Sequence, residues 1–207
     1  MNSATEKFQI TGPEGVIECA RDLPAGEPVG TALIAHPHPL FGGTMDNKVV
    51  QTLARACVQC GYAAVRFNFR GVGGSAGNYG EGVGEVDDML AVLAQAVPAG
   101  DLVLAGFSFG SAVASKVYAH VHAERAVRKL VLVGTAASRF SVASIDAAEH
   151  DKVLVVHGEA DDTVPLSAVM DWARPMSLPV TVVPGGGHFF HGQLPLLKNL
   201  VARHLRA

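Results

Sequence analysis

The chain has 207 residues, of which 49% are hydrophobic and 17% are charged, and its net charge at pH 7 is −3. This length can bury one sizeable core, so we expect a single domain over residues 1–207. The small charge and the lack of a basic cluster argue against nucleic acid or a membrane surface as a partner. Residues 1–7 are polar, and no apolar stretch suited to a signal peptide or a membrane span follows them. We therefore expect a cytoplasmic protein.

The predicted elements begin with an antiparallel hairpin, because residues 7–11 and 16–22 alternate in polarity around a Gly-Pro-Glu-Gly turn. Short, continuously apolar strands then alternate with helical stretches, an order typical of an α/β protein with a parallel sheet and helices on both faces. The predicted strands are 31–35, 63–69, 102–105, 129–133, 152–156 and 180–183. The predicted helices are 46–60, 86–96, 111–120, 166–172 and 194–205. We expect Gly61 and Pro98 to end the first two of these helices.

The strand at 102–105 leads into Gly106-Phe107-Ser108-Phe109-Gly110, a G-x-S-x-G pattern. Between a buried strand and a helix, this pattern predicts a nucleophile elbow, a sharp turn that exposes the serine hydroxyl. Glycine two residues before and after the serine lets the strand and the helix approach closely. The N–H of Phe109 would be free at the helix start to stabilise an oxyanion. Because so short a pattern also occurs by chance, a base and an acid must be found elsewhere.

Two later strands end in residues that can supply this base and acid. Asp161 and Asp162 follow the strand at 152–156, and a glycine-rich loop after the strand at 180–183 carries His188. The carboxyl ends of parallel strands share one edge of the sheet, so these side chains should face Ser108. A serine hydroxyl needs a neutral imidazole to accept its proton and a carboxylate to orient that imidazole. Spacing alone leaves either aspartate as the acid.

Four motifs follow one another along the chain: AHPHPLFGGTMDN at 35–47, FNFRGVGGSAG at 67–77, GFSFGS at 106–111, and HGEADDTVP at 157–165 with GGGHFF at 185–190. Together they resemble the compact bacterial α/β-hydrolases related to dienelactone hydrolases and to prolyl-oligopeptidase-type catalytic domains. The resemblance runs from about residue 31 to the end. It implies an α/β-hydrolase fold, with a doubly wound, mostly parallel sheet, and the chain order Ser108, Asp161, His188. The family places its acid in a G-x-x-D-x-x-V-P loop, which matches Asp161 and makes Asp162 a neighbour.

The same resemblance implies that the loop after the first parallel strand supplies a second oxyanion donor. That loop lacks the HGGG sequence of many lipases and contains prolines at 37 and 39 instead. Because proline has no N–H, the donor must be His38, Leu40 or a neighbour, and we choose Leu40.

Aromatic side chains flank the expected site. Phe41, Phe107 and Phe189 predict an apolar substrate pocket. Only about 18 residues join the strands at 129–133 and 152–156, where larger hydrolases insert a lid. We therefore expect an open site without a large lid, in which a small carboxylic ester or thioester is cleaved through an acyl-serine. No metal or cofactor is expected, and the protein is a monomer or a dimer.

Other patterns suggest different chemistry. His36 and His38 form a metal-like pair, and Cys57 and Cys60 a redox-like or zinc-like pair, but both pairs lack further ligands nearby in the sequence. Loop-shaping histidines and core-filling cysteines are the favoured interpretations. Residues 71–76 match a loose dinucleotide fingerprint, yet a longer loop follows instead of a helix. A peptidase or amide hydrolase with the same triad, and a non-catalytic binding protein on the same fold, remain alternatives.

Overall fold

The computed structural model describes residues 5–97 and 99–207. Its strands are β1 (Glu6–Gly12), β2 (Gly15–Asp22), β3 (Gly30–Ala35), β4 (Tyr62–Phe67), β5 (Leu102–Phe107), β6 (Val127–Val133), β7 (Val153–Gly158) and β8 (Val180–Val183). Its α-helices are α1 (Lys48–Gln59), α2 (Gly84–Ala96), α3 (Phe109–Val121), α4 (Leu166–Ala173) and α5 (Leu194–Arg206). Short 3-10 helices occupy Pro39–Phe41, Ala147–Lys152 and Arg174–Met176.

The eight strands form one sheet in the order β1-β2-β4-β3-β5-β6-β7-β8. The hairpin of β1 and β2 is antiparallel and joins β4 in antiparallel fashion. Every pairing from β4 to β8 is parallel. The predicted fold class, a mostly parallel sheet with an N-terminal antiparallel hairpin, is therefore confirmed. The carboxyl ends of β3, β5, β7 and β8 lie at the same edge of this sheet, which is where the candidate residues follow.

Helices cover both faces of the sheet. The cluster on one face includes α1 and α5, and the cluster on the other includes α2, α3 and α4. Successive residues of a strand point to opposite faces, so in β5 Leu102 and Leu104 join one cluster while Val103 and Ala105 join the other. This is why the central strands are mostly apolar along their whole length rather than only at every second position.

Several element boundaries lie one or two residues from their predicted positions. Helix α1 begins at Lys48 rather than at 46, because the Asn47 side chain caps it by accepting the N–H of Val49 at 2.9 Å. Strand β4 ends at Phe67 rather than at 69, and the side chain of the next residue, Asn68, accepts the N–H of Met45. Helix α3 begins at Phe109, directly after the elbow serine, rather than at 111. Pro98, the predicted end of α2, lies outside the described residues.

The segment from residue 134 to 152, between β6 and β7, contains one 3-10 helix at Ala147–Lys152 and no lid-sized insertion. The carboxyl edge of the sheet is therefore open to solvent above β5. Among residues 5–97 and 99–207, no helix has both the length and the apolar character that crossing a bilayer would need.

Candidate active site

The turn between β5 and α3 holds Ser108 in an unusual backbone conformation, with φ 56° and ψ −119°. For a residue other than glycine, such a conformation costs on the order of 1–3 kcal/mol and persists only where the surroundings enforce it. Here the Ser108 N–H donates to the Val133 carbonyl at 2.8 Å. A Cβ on Gly106 would lie 2.2 Å from the Gly110 carbonyl oxygen, and one on Gly110 would lie 2.4 Å from that of Ala35. Only glycine fits at either position, as the G-x-S-x-G pattern predicts.

The structure brings the three predicted catalytic side chains into one hydrogen-bonded row. The Ser108 hydroxyl lies 3.0 Å from His188 Nε2, and His188 Nδ1 lies 2.7 Å from Asp161 Oδ2. The three residues come from loops after β5, β7 and β8 and are each at most 7% exposed. In a neutral imidazole Nδ1–H donates to the carboxylate, which leaves Nε2 to accept the serine proton. This arrangement fits an activated serine nucleophile.

Of the two neighbouring aspartates, the structure places Asp161 against His188. Asp161 Oδ1 also accepts the N–H groups of Thr163 and Val164, at 2.9 and 2.8 Å. Burial alone would raise the pKa of this carboxyl, but the hydrogen bonds from His188 and Val164 outweigh burial and hold the pKa below its usual value. Asp162 is exposed, and its side chain accepts a hydrogen bond from the Thr163 hydroxyl. Asp161 therefore stays ionised beside the imidazole.

Phe107 packs against the His188 imidazole on its core side. Its ring centroid lies 4.9 Å from that of His188, and its side chain is completely buried. It does not line the cavity above Ser108. The prediction that Phe107 contacts substrate is therefore wrong: as the last residue of β5, its side chain points into the core beneath the site. Phe189 packs edge-on against the other side of His188, at 5.1 Å, and does reach the cavity.

The N–H of Phe109 stands at the first position of α3 and finds no acceptor in the described part of the chain. The choice of Leu40 as second donor is corrected, because its N–H donates to the His38 ring at 3.2 Å. The N–H groups of Phe41 and Gly43 both donate to the His38 carbonyl. His38 keeps an unused backbone N–H, as far as the described residues show, and lines the same cavity as Ser108. The sequence alone could not show that the Leu40 N–H is already engaged in a hydrogen bond to the His38 ring.

His36 shapes the loop after β3 from a fully buried position. One ring nitrogen, Nδ1, lies 2.6 Å from the Pro37 carbonyl, and the other, Nε2, accepts the N–H of Phe69 at 3.0 Å. Burial lowers the pKa of His36 to about 4, so the ring is neutral at physiological pH. Both nitrogens are thus engaged with the backbone, and His36 fixes the position of the HPHP loop beside the elbow.

The described residues include no cluster of three His, Cys, Asp or Glu side chains arranged to hold a metal ion. Cys57 is buried in the helix–sheet core, where burial raises its thiol pKa to about 12. Cys60 contacts the Ala202 carbonyl on α5. The glycine loop at 71–76 closes on itself through a bond from the Gly71 N–H to the Ala76 carbonyl. Helix α2 begins only at Gly84, so this loop lacks the helix N-terminus that a dinucleotide phosphate needs.

A cavity of about 540 Å³ opens above Ser108 and His188. Its lining is rich in rings, including the predicted Phe41 and Phe189 and also Phe109, Phe140 and His38. Phe140 was not predicted, although its place in the loop after β6 puts it at the correct edge of the sheet. Arg139 supplies the permanent positive charge of the lining. The site can accommodate a small, partly apolar molecule with its reacting carbon beside Ser108.

A family model described as the alpha/beta hydrolase fold matches residues 38–151, more than half of the chain. An α/β serine hydrolase without a lid from Xanthomonas campestris is 36% identical and has a TM-score of 0.86; the match covers 100% of this chain and 95% of that one. A serine hydrolase homologue from Coxiella burnetii is 42% identical, with a TM-score of 0.83 and 97% of each chain covered.

An uncharacterized protein of Rickettsia prowazekii is 44% identical over 115 residues, which are 54% of this chain and 48% of that protein. The chain thus matches about half the length of this curated relative. The family model and the full-length structural matches agree with the observed fold, and the Xanthomonas protein is also described as lacking a lid. The chain belongs to the α/β-hydrolase fold family.

Proposed function

We propose that the protein is a serine hydrolase that cleaves small carboxylic esters or thioesters through an acyl-serine intermediate. The observation that carries this proposal is the row from Ser108 through His188 to Asp161, with separations of 3.0 and 2.7 Å. Ser108 and His188 line an open cavity, where a substrate carbonyl can approach the serine hydroxyl, and Asp161 lies buried behind them. The serine hydrolases of Xanthomonas and Coxiella support the reaction class.

Acylation begins when Ser108 Oγ attacks the carbonyl carbon while His188 Nε2 accepts the hydroxyl proton. The Asp161 carboxylate stabilises the resulting imidazolium. The carbonyl oxygen becomes an oxyanion, which accepts hydrogen bonds from the backbone N–H groups of Phe109 and His38. One such donor accounts for about a 10²- to 10³-fold increase in kcat in serine hydrolases.

The tetrahedral intermediate then collapses and breaks the bond to the leaving alcohol or thiol, which takes the proton from His188. The acyl group stays on Ser108. In the second half of the reaction His188 removes a proton from water, and the hydroxide formed attacks the acyl carbon. The free acid leaves, and the proton returns to the serine oxygen. One water is consumed for each ester or thioester cleaved.

The cavity favours esters and thioesters over peptides. Phenylalanine rings form a large part of its walls, and a peptide chain would need many backbone hydrogen-bond partners along an extended groove. The open mouth between Phe41 and Phe189 admits small molecules without a lid movement. A peptidase with the same triad is the second candidate function. Substrate preference distinguishes it from an esterase or thioesterase.

The test is a panel of 4-nitrophenyl acetate and butyrate, phenyl thioacetate, and the 4-nitroanilide of butyric acid. The folded wild-type protein should hydrolyse the oxygen and sulfur esters faster than the anilide. Ser108→Ala and His188→Ala should each lower kcat/KM at least ~10³-fold. Ser138→Ala, at an exposed position, and His191→Ala, which removes the histidine three residues after His188, should stay within about twofold of wild type.

Two outcomes would contradict the proposal. A folded protein that hydrolyses none of these compounds would favour the binding protein on a hydrolase fold. A preference for the anilide would favour the amide hydrolase.

A further inference from the structure

A second histidine lies against the catalytic carboxylate. His157, the penultimate residue of β7, is completely buried. Its Nε2 lies 2.9 Å from the Val164 carbonyl oxygen and 3.5 Å from Asp161 Oδ2. His157 takes no part in the proposed reaction steps. Both His157 and His188 nevertheless lie beside the same carboxylate oxygen, Asp161 Oδ2.

The contacts of His157 determine where its proton is. A carbonyl oxygen only accepts, so the Nε2 atom must carry the hydrogen that it donates to Val164. Nδ1 is then an acceptor, and it is buried without a partner among the described residues. A buried acceptor without a partner lowers stability. An apolar side chain would fill this core position without that cost, so the feature of His157 that matters is its Nε2–H.

Val164 and His157 together fix both oxygens of the carboxylate. The Val164 N–H donates to Asp161 Oδ1 at 2.8 Å, while the Val164 carbonyl accepts from His157. The same Nε2–H faces Oδ2. The three residues thus form a closed ring of contacts that ties the acid-bearing loop to the end of β7. A rotation of the carboxylate away from His188 would break this ring.

The neutral state of His157 is consistent with a role in holding the Asp161 carboxylate in place. Burial lowers its pKa, and the titratable groups that act on it are Asp161 and His188. A cationic His157 would compete with the His188 imidazolium for Oδ2. Because burial keeps His157 neutral, it positions the carboxylate while the negative charge stays available to His188.

We propose that His157 is a positioning residue that holds the Asp161 carboxylate in line with His188. The proposal rests on the proposed serine-hydrolase function.

The experiment compares His157→Leu, His157→Asn and His157→Gln with 4-nitrophenyl butyrate. Glutamine places its amide N–H near the position of Nε2, whereas asparagine is too short and leucine has no donor. We expect His157→Leu and His157→Asn to lower kcat about tenfold or more with KM within about twofold, and His157→Gln to recover most of the loss. In the two impaired variants, the fall of kcat/KM at acid pH should move to lower pH, because a misplaced carboxylate stabilises the imidazolium less.

His204 offers a matched control. Its Nε2 also bonds to a backbone carbonyl, that of Lys152, at 3.1 Å, and burial lowers its pKa as well. His204→Leu should lower the thermal midpoint but leave kcat and the pH profile unchanged. If His157→Leu does not fold, the comparison of the asparagine and glutamine variants decides the question.

Equal kcat in the asparagine and glutamine variants, or an unchanged pH profile in His157→Asn, would overturn the proposal. Inactive wild-type protein would instead overturn the proposed function itself. Wild-type activity that is lost in Ser108→Ala and retained in His157→Asn would contradict only the role of His157.

Discussion

The floor and the rim of the cavity differ in how firmly they are built. We use floor for Ser108, Asp161 and His188, each at most 7% exposed, and rim for Phe41 and Phe189, which are 75% and 44% exposed. The floor is held by backbone hydrogen bonds, by buried packing and by glycines that accept no side chain. The rim side chains project from loops into solvent. For the proposed function, we therefore expect the floor to determine the reaction and the rim to determine substrate preference.

This difference has a physical origin. Each floor residue follows the end of a strand in one parallel sheet, so the sheet register sets the distances among them. A shift of the floor would require a change in the core. The rim side chains are exposed to solvent, although Phe189 also packs against His188, so their replacement should cost less folding free energy than that of a buried residue. Rim substitutions should therefore change binding, and floor substitutions should change the rate of the chemical steps.

The largest effect is expected at the acid. Asp161→Asn keeps the size of the side chain but removes the charge that orients and stabilises the His188 ring, and kcat should fall about 10³- to 10⁴-fold. The matched change Asp162→Asn, at the exposed neighbour, should leave kcat within about twofold. Steady-state kinetics with 4-nitrophenyl butyrate measure both. A larger loss in Asp162→Asn than in Asp161→Asn would show that the acid has been assigned to the wrong aspartate.

An intermediate effect is expected at His36, which belongs to the scaffold of the floor. Its pKa of about 4 lies below the value of 6.5 expected in the unfolded chain. The unfolded state thus binds a proton more readily, so His36 stabilises the fold fully above pH 6.5 and progressively less as the pH falls toward 4. The difference corresponds to roughly 3 kcal/mol.

Urea unfolding at pH 7.5 and 4.5 tests this expectation. His36→Gln keeps a donor and an acceptor but does not titrate, so its stability should fall less between the two pH values than that of wild type, by up to roughly 3 kcal/mol. His120→Gln, at an exposed helix position, serves as the control and should follow wild type. An identical pH dependence in wild type and His36→Gln would refute the buried, neutral state of His36.

The smallest effects are expected at the rim. Phe41→Ala and Phe189→Ala remove apolar surface that contacts a bound acyl or alcohol group, so KM for 4-nitrophenyl butyrate should rise about two- to tenfold with kcat nearly unchanged. The rise should be smaller for the acetate. Leu23→Ala removes an exposed apolar side chain remote from the cavity and should change neither constant. A large loss of kcat in either rim variant would mean that the rim also positions the catalytic groups.

The sequence predicted the parts of the molecule that follow from periodicity and strand order. The parallel sheet, the hairpin and the G-x-S-x-G turn could be predicted because apolar runs and glycine spacing are local properties. The resemblance of the HGEADDTVP stretch to known hydrolases favoured Asp161, and the structure places that residue at the imidazole.

Side-chain contacts across loops could not be predicted in the same way. The Leu40 N–H is engaged because the His38 ring turns back onto it, and Phe107 points into the core because it shares one face of β5 with Val103 and Ala105. Nothing in the sequence around His157, apart from its place in the HGEADDTVP motif, indicated a positioning role. That proposed role depends on the distance between the His157 ring and the Asp161 carboxylate, which only the structure gives. Each of these features depends on three-dimensional packing rather than on residue type.

Whether Ser108 is an activated nucleophile is tested most directly by reaction with a fluorophosphonate probe, followed by mass-spectrometric mapping of the modified residue. We expect one phosphonylated residue, Ser108, in folded wild-type protein, and loss of labelling in Ser108→Ala and in His188→Ala. A folded wild-type protein that stays unlabelled, that is labelled at another residue, or that reacts equally well without His188 would contradict it.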